Sequence, residues 1–152
     1  MVTYFLKERQ SLPPQLSPDG LNVDYDMEKK ILECRNSALI SYERNFDFEM
    51  NKAIKELHKL SNMMRKLDER EMGVSPAFER SMADMIIILF PFAPMFSAEM
   101  WRGFASAPWH YPQLTDHFDW SKDVWEQKWP HVDVNEKDRM RMGAKNKAKA
   151  AA

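Results

Sequence analysis

The feature that most constrains this sequence is its most apolar stretch, residues 85–101, which two prolines interrupt. Pro91 and Pro94 lack a backbone N–H, and each biases the preceding residue away from the α region, so one helix must end before Pro91. Pro94 suits the first position of a new helix. The apolar run covers about 12 residues, fewer than the roughly 18–20 that span a bilayer. The stretch therefore predicts a buried helix–turn–helix in a soluble domain, without membrane contact.

The composition favours an all-α protein. Only four of the 152 residues are glycine, which is few for a fold with many tight turns, and the twelve methionines suit helices. A formal net charge of −1 creates no overall field that would attract nucleic acid. Cys34 is the single cysteine, so no internal disulfide can form, and a buried, inert thiol is expected. The predicted fold is a helical bundle of four to five helices with an irregular, tryptophan-rich C-terminal segment.

Hydrophobic periodicity places four helices, at about residues 26–43, 48–67, 76–90 and 94–104. Asp24 or Asp26 is expected to cap the first helix and Asp47 the second, whereas Ser75 precedes Pro76 as the N-cap of the third. The third helix ends apolar on nearly all sides, so we expect it at the centre of the bundle.

The remaining stretches are expected to be less regular. Residues 1–23 carry loop and turn chemistry and form an irregular N-terminal segment, whose apolar start could dock on the domain. Residues 24–136 form the bundle domain, with a charged linker at 68–73. Within 105–136 one short helix is expected near 121–127, and the tryptophans indicate a segment that wraps back over the bundle. Residues 137–152 form a basic, flexible tail that could be a frayed helix, an RNA-binding extension or a solvated end.

The second helix carries a stripe of basic residues opposite its apolar face, formed by Lys52, Lys55, Lys59 and Lys66 with Asn62. One interpretation is a surface that contacts phosphates. The other is an ordinary solvated face, because Glu56 lies within reach of lysines three and four residues away. The sequence leaves both interpretations open.

Motifs for catalysis are absent from the sequence. It has no glycine-rich phosphate loop, no His-Glu-x-x-His, no cysteine pair and no Gly-x-Ser-x-Gly. The four histidines lack the spacing of metal ligands, and the carboxylates are expected mostly on helix surfaces. A non-catalytic helical module without a metal site is therefore predicted.

Three ordered motifs resemble the anticodon-binding helical domain of class Ia aminoacyl-tRNA synthetases, and among these leucyl-tRNA synthetase. Residues 48–54, followed by Leu57, Leu60 and Asn62, resemble the family's Phe-x-x-x-x-Ala-Ile helix. Residues 88–101 resemble its Leu-x-Pro-Phe-Ala-Pro-His…Glu-Leu-Trp signature, and residues 129–133 its Trp-Pro-x-x-Asp. The motif positions, which are expected to serve structure, are Pro91, Phe92, Pro94, Glu99, Trp101, Trp129 and Pro130.

The sequence departs from the family in ways that limit its activity. Met95 stands where the family has histidine, and the class I signatures of the catalytic domain are absent. The resemblance therefore implies a chain that cannot activate leucine. ATP and Mg²⁺ would belong to a catalytic domain outside it, and this chain would bind no cofactor of its own.

Two hypotheses follow from the resemblance. The first is the tRNA-binding domain of a leucyl-tRNA synthetase, which holds leucine tRNA by phosphate and sugar contacts and packs beside a catalytic domain in cis or in trans. The second is a separate descendant that acts as a protein-interaction or assembly subunit. The resemblance points to the mitochondrial matrix, otherwise the cytoplasm. Candidate RNA-binding residues, chosen for their chemistry and position, are Lys52, Lys55, Lys59, Arg65, Lys66 and Arg102.

Overall fold

A computed structural model describes residues 1–12, 23–46 and 48–133. Within these ranges the chain forms six α-helices, two short 3-10 turns and no strand, which confirms the all-α prediction. The helices are α1 (Val2–Ser11), α2 (Tyr25–Asn45), α3 (Met50–Met64), α4 (Glu69–Val74), α5 (Pro76–Leu89) and α6 (Pro94–Ala105). The 3-10 turns are Pro112–Leu114 and Val124–Glu126.

Helix α5 lies at the centre of the bundle, as its sequence predicts. The Ser75 hydroxyl accepts a hydrogen bond from the Phe78 N–H at 2.9 Å and caps the helix, with Pro76 in its first turn. All residues from Ala77 to Ile88 are buried except Arg80, since α5 packs against both α2 and α6. The helix ends at Leu89, and α6 begins at Pro94, so the two prolines separate the helices as expected.

Helices α2 and α3 pack along each other on one side of α5. The Asp24 carboxylate caps α2 by accepting hydrogen bonds from the backbone N–H groups of Asp26 and Met27. Helix α3 is shorter than predicted, because it begins at Met50, preceded by Glu49 without a side-chain cap. The predicted cap, residue 47, lies outside the described residues. The packing order α3–α2–α5–α6 places the outer side of α3 at the edge of the bundle.

The N-terminal stretch is helical over residues 2–11, so the expected irregular conformation is wrong there. The sequence pattern of α1 is weak, and tertiary contacts support the helix instead. Phe5 is fully buried and stacks on Phe104 of α6 with 4.6 Å between the ring centres. This confirms that the apolar start docks on the domain. The boundary at residue 23 stays a prediction, because residues 13–22 lie outside the described ranges.

Residues 69–74 form the short helix α4, so the linker expected at 68–73 is also wrong. Asp68 and Glu71 form a reciprocal capping box, which satisfies two backbone donors of the first turn. Gly73 lies so close to α1 that a Cβ atom at this position would collide with the Cβ atom of Glu8. Local capping and this close packing on α1 give helical structure to a stretch with no apolar periodicity.

The tryptophan-rich segment covers α5 and α6, as predicted. It buries Tyr111, Leu114, Phe118, Val124 and Val132. The short helix expected near residues 121–127 is a 3-10 turn limited to Val124–Glu126. The basic tail predicted for residues 137–152 lies outside the described residues.

Candidate nucleic-acid interface

The outer face of α3 presents the three lysines that the sequence predicts as a stripe. Lys52, Lys55 and Lys59 are all exposed, and His58 and Asn62 on the same helix are exposed as well. The opposite side of α3 is buried through Ala53, Leu57, Leu60 and Met64. This division follows the helical period of 3.6 residues, which turns the apolar residues toward α2 and the lysines toward solvent.

Two of these lysines have acidic partners one turn away. Lys52 Nζ lies 2.6 Å from Glu49 Oε2, and Lys59 Nζ lies 2.5 Å from Glu56 Oε1. Both lysine side chains keep 57% of their surface exposed, so these pairs are worth about 0.3–0.5 kcal/mol each and can exchange partners. Two lysines of the stripe thus pair with neighbouring carboxylates in the isolated chain, and they remain accessible to a phosphate.

Lys55, Arg65 and Lys66 form no ion pair with any other residue that the structure describes. Lys55 lies between the two paired lysines on the outer face of α3. Arg65 follows the last residue of α3 as its C-cap, and Lys66 comes next, so both extend the basic surface past the helix end. Five of the six candidate residues therefore belong to one helix and its C-terminal turn.

Arg102 does not join this surface. It lies in the last turn of α6, and α2 and α5 lie between α6 and α3 in the packing order. Its Nε atom lies 3.5 Å from Asp123 Oδ1, which ties α6 to the tryptophan-rich segment. The structure thus separates Arg102 from the other five candidate residues.

The proline-containing motif organises the α5–α6 connection. Pro94 occupies the first turn of α6, while Pro91 and Phe92 form the exposed turn before it. Trp101 is buried, donates a hydrogen bond from Nε1 to the Lys122 carbonyl at 2.8 Å and stacks on Trp120. Trp101 is thus an anchor for the tryptophan-rich segment.

Three other motif positions differ in their environment. Glu99 is exposed on α6 and Pro130 is buried. The Trp129 ring lies 5.5 Å from the ring of Tyr42 at the end of α2 and keeps 37% of its surface exposed. The Trp-Pro motif therefore fastens the end of the described chain to α2.

No sequence motif predicts the buried ionic cluster that Arg9, Glu79 and His110 form. Arg9 of α1 and Glu79 of α5 are both fully buried, with Arg9 Nη2 2.8 Å from Glu79 Oε2. His110 Nδ1 lies 2.5 Å from the second oxygen of Glu79, and the Trp109 ring covers the guanidinium at 3.7 Å. Burial lowers the pKa of Arg9, and the Glu79 charge opposes that shift. This cluster joins α1, α5 and the tryptophan-rich segment.

A second buried pair joins α2 to α5. Arg35 Nε donates to Asp84 Oδ2 at 2.5 Å, and Arg35 also donates to the His131 carbonyl at 3.0 Å. Burial raises the pKa of Asp84 against the opposing charge and hydrogen bond of Arg35. The expectation that carboxylates lie mostly on helix surfaces fails for Glu79 and Asp84. The sequence contains one indication that Arg35 is buried, because it lies four residues after Ile31 and so falls on the apolar face of α2.

Three further features of the described residues bear on function. No group of three or more His, Cys, Asp or Glu side chains is placed to hold a metal ion. No helix among them has both the length and the apolar character to cross a membrane. A surface cleft of about 520 Å³ is lined by residues 115–122 and 126–128 of the tryptophan-rich segment, away from the lysines of α3.

Comparison with known proteins identifies relatives of this chain. It is 30% identical over 138 residues to a probable mitochondrial leucine–tRNA ligase of Pongo abelii, and 29% identical over 137 residues to that of Mus musculus. Each match covers 88% of this chain and 15% of the relative. A leucine–tRNA ligase of Caldanaerobacter subterraneus is 30% identical over 75% of the chain and 12% of its own length. The chain thus spans less than a fifth of these relatives.

No solved structure shows a significant match to the chain. The family described as "Anticodon-binding domain of tRNA ligase" matches residues 28–151, which is well over half of the sequence. This match agrees with the resemblance that the three motifs carry and with the all-α bundle. The chain belongs to the anticodon-binding domain family of tRNA ligases.

Proposed function

We propose that this chain is the tRNA-binding helical domain of a leucine–tRNA ligase and that it holds leucine tRNA on the outer face of α3. The observation that supports this most is the row of exposed basic side chains at Lys52, Lys55 and Lys59 in a chain of this family. Their helical spacing corresponds to steps of about 4.5 and 6 Å along the axis. Arg65 and Lys66 continue the row beyond the helix end.

The contacts on this face are to phosphate and sugar. A lysine ammonium is a flexible point charge that binds a phosphate without the planar fork of arginine. Lysine contacts of this kind position a nucleic acid and carry no sequence information. Leucine specificity then arises elsewhere in the ligase.

The chain contributes to leucylation without carrying out the chemistry. A catalytic domain, in cis or in trans, binds ATP and Mg²⁺, and this chain binds no cofactor. The mitochondrial names of the Pongo abelii and Mus musculus relatives support the mitochondrial matrix as its location. The alternative, a protein-interaction or assembly subunit, is less well supported, since the relatives described above are ligases.

The test compares two triple variants in binding to leucine tRNA across a salt series. Lys52→Gln, Lys55→Gln and Lys59→Gln together remove three phosphate contacts. Because each contact contributes about 0.7–0.9 to the magnitude of the slope of log K against log salt concentration, we expect that magnitude to fall by about 2–3.

The matched control replaces three exposed basic residues of α1, α4 and the tryptophan-rich segment, by Lys7→Gln, Arg70→Gln and Lys122→Gln. It makes the same change in net charge and should leave the slope unchanged. Equal slopes for the two triple variants would refute the assignment of the α3 face. Absence of leucine tRNA binding by the unmodified chain at low salt would refute tRNA binding altogether.

A further inference from the structure

A polar groove with a volume of about 260 Å³ lies between α2 and α3. Steps of four and three residues separate Ser37, Ser41 and Arg44, so these side chains lie along one flank of α2. The α3 side of the groove is formed by Glu56. We call this feature the α2–α3 groove and define it by its lining residues Ser37, Ile40, Ser41, Arg44, Asn45 and Glu56.

Two lysines of the α3 stripe border this groove. Glu56 lines the groove and pairs with Lys59, with 2.5 Å between Oε1 and Nζ. Lys52 lies one turn before Glu56 on the same side of α3, because four residues complete about one turn of a helix. Arg44 and Lys59 together outnumber Glu56, so the groove and its rim carry a positive net charge.

Arg44 supplies the positive charge on the α2 side of the groove. It is exposed in the last turn of α2 and forms no ion pair with another residue that the structure describes. A guanidinium presents its N–H donors in a planar fork that can bind two oxygens of one phosphate. Arg44 is therefore suited to hold a phosphate that enters the groove beside the lysines.

Two serine hydroxyls give the groove a second kind of ligand. The Ser37 hydroxyl forms no hydrogen bond with a residue that the structure describes. Ser41 Oγ accepts a hydrogen bond from Asn45 Nδ2 at 3.1 Å, so its own O–H can donate to a ligand. A serine hydroxyl both donates and accepts, as does the ribose 2′-hydroxyl that distinguishes RNA from DNA. The two serines are therefore suited to contact ribose.

We propose that the α2–α3 groove binds one phosphate–ribose unit of the tRNA backbone, with Arg44 on the phosphate and Ser37 and Ser41 on the 2′-hydroxyl. This inference rests on the proposed function, in which the lysines of α3 hold neighbouring phosphates. The groove is smaller than the roughly 300–1,000 Å³ of sites that enclose a whole small molecule, which suits part of a nucleotide. The serines then give the chain a preference for RNA over DNA, which lysine–phosphate contacts do not supply.

The first measurement repeats the salt series on leucine tRNA with Arg44→Gln. Loss of one phosphate contact should lower the magnitude of the slope of log K against log salt concentration by about 0.7–0.9. Arg70→Gln makes the same change at an exposed arginine of α4 and should leave the slope unchanged. An unchanged slope for Arg44→Gln would overturn the groove site, even if the triple lysine variant supports the proposed function. A lowered slope for Arg44→Gln alone would support the groove and refute the α3 face.

The second measurement compares leucine tRNA with a DNA strand of the same sequence. Ser37→Ala with Ser41→Ala removes both hydroxyls at half-buried positions of α2, where alanine favours the helix. The affinity for tRNA should fall about tenfold through the loss of two hydrogen bonds, and the affinity for DNA should stay the same. Ser61→Ala, about 140° around α3 from Glu56, is the control and should change neither affinity. Equal losses for tRNA and DNA, or no loss for tRNA, would overturn the ribose contact.

Discussion

The Arg9 cluster and the outer face of α3 both contain charged side chains, yet these side chains differ in burial and in the number of their hydrogen-bond partners. Arg9 and Glu79 are fully buried, and the guanidinium donates to Glu79, to the Gly73 carbonyl and to the Trp109 carbonyl. Lys52 and Lys59 have single acidic partners and keep more than half of their surface in water. The first group is buried and inaccessible, whereas the second is exposed and accessible.

This difference separates structural from functional charge in this bundle. A buried ion pair must be fully hydrogen-bonded to offset the cost of removing it from water, so its members have no free donor for a ligand. An exposed lysine gains little from its neighbour and can give up that contact for a phosphate. Changes in the free energy of unfolding distinguish the buried charges from the exposed ones.

The largest loss of stability is expected for Arg9→Met. It leaves the Glu79 carboxylate buried without its guanidinium partner, so we expect the free energy of unfolding to fall by about 3–5 kcal/mol. Urea denaturation followed by circular dichroism measures this change. Arg70→Met, at an exposed arginine of α4, is the control and should stay within about 0.5 kcal/mol of the unmodified chain. Similar losses for both variants would show that burial of the Arg9 cluster does not matter.

A smaller effect is expected where α1 approaches α4, beside the Arg9 cluster. Gly73→Ala places a Cβ atom against the Cβ and backbone of Glu8, so α1 must move and the free energy of unfolding should fall by about 1–3 kcal/mol. Gly103→Ala in α6 is the matched control. Its new Cβ atom meets only a methyl group of Val2 at an ordinary 4.0 Å, so the higher helix propensity of alanine should stabilise the fold by about 0.5–1 kcal/mol. Thermal unfolding of both variants gives the two signs, and equal signs would contradict the close approach.

The smallest effect is expected at Asp133, whose exposure lies between that of the buried Arg9 cluster and that of the α3 lysines. Asp133 accepts a hydrogen bond from Arg80 Nη2 at 2.8 Å and keeps about half of its side chain exposed. Burial acts to raise the pKa of Asp133, but the hydrogen bond and charge of Arg80, together with the charge of Arg35, outweigh it, and the pKa is lowered from 3.8. Because the folded-state pKa lies below the unfolded value, the stabilisation is complete above the unfolded pKa and disappears as pH falls through the folded pKa.

Asp133→Asn should therefore be less stable than the unmodified chain near neutral pH, by less than about 1 kcal/mol for so exposed a pair. The difference should vanish in acid, once the pH lies below both pKa values. Urea denaturation at the two pH values checks this, with Asp116→Asn, at an exposed aspartate without an ion pair among the described residues, as the control. A difference that persists in acid would show that Asp133 acts by packing and not by charge.

Much of the fold could be predicted because its signals are local. The prolines at positions 91 and 94 stop one helix and start the next wherever they occur in a chain. The caps at Asp24 and Ser75 depend on a side chain and the backbone N–H groups two or three residues later. The lysine stripe follows from the helical period alone. Each of these features is complete within a few residues of sequence.

The features that could not be predicted depend on residues far apart in the chain. Helix α1 has a weak pattern of its own and becomes a helix beside Phe104 and Glu79, which lie some 70 to 100 residues away. Arg102 is basic like the other candidate RNA-binding residues, yet α2 and α5 lie between it and α3. A sequence window contains no information about which helix lies on which side of another.

Local sequence is enough to specify the helices around the proline break, the composition of the outer face of α3 and the motifs that mark the family. Long-range packing makes Arg9 and Glu79 core residues, brings α1 and α4 close together at Gly73 and places Phe46, Phe92 and Trp129 at one exposed end. The physical reason is the range of the interactions. Helix propensity, capping and periodicity act over a few residues, whereas burial and ion pairing are decided by the partners that the folded chain brings together.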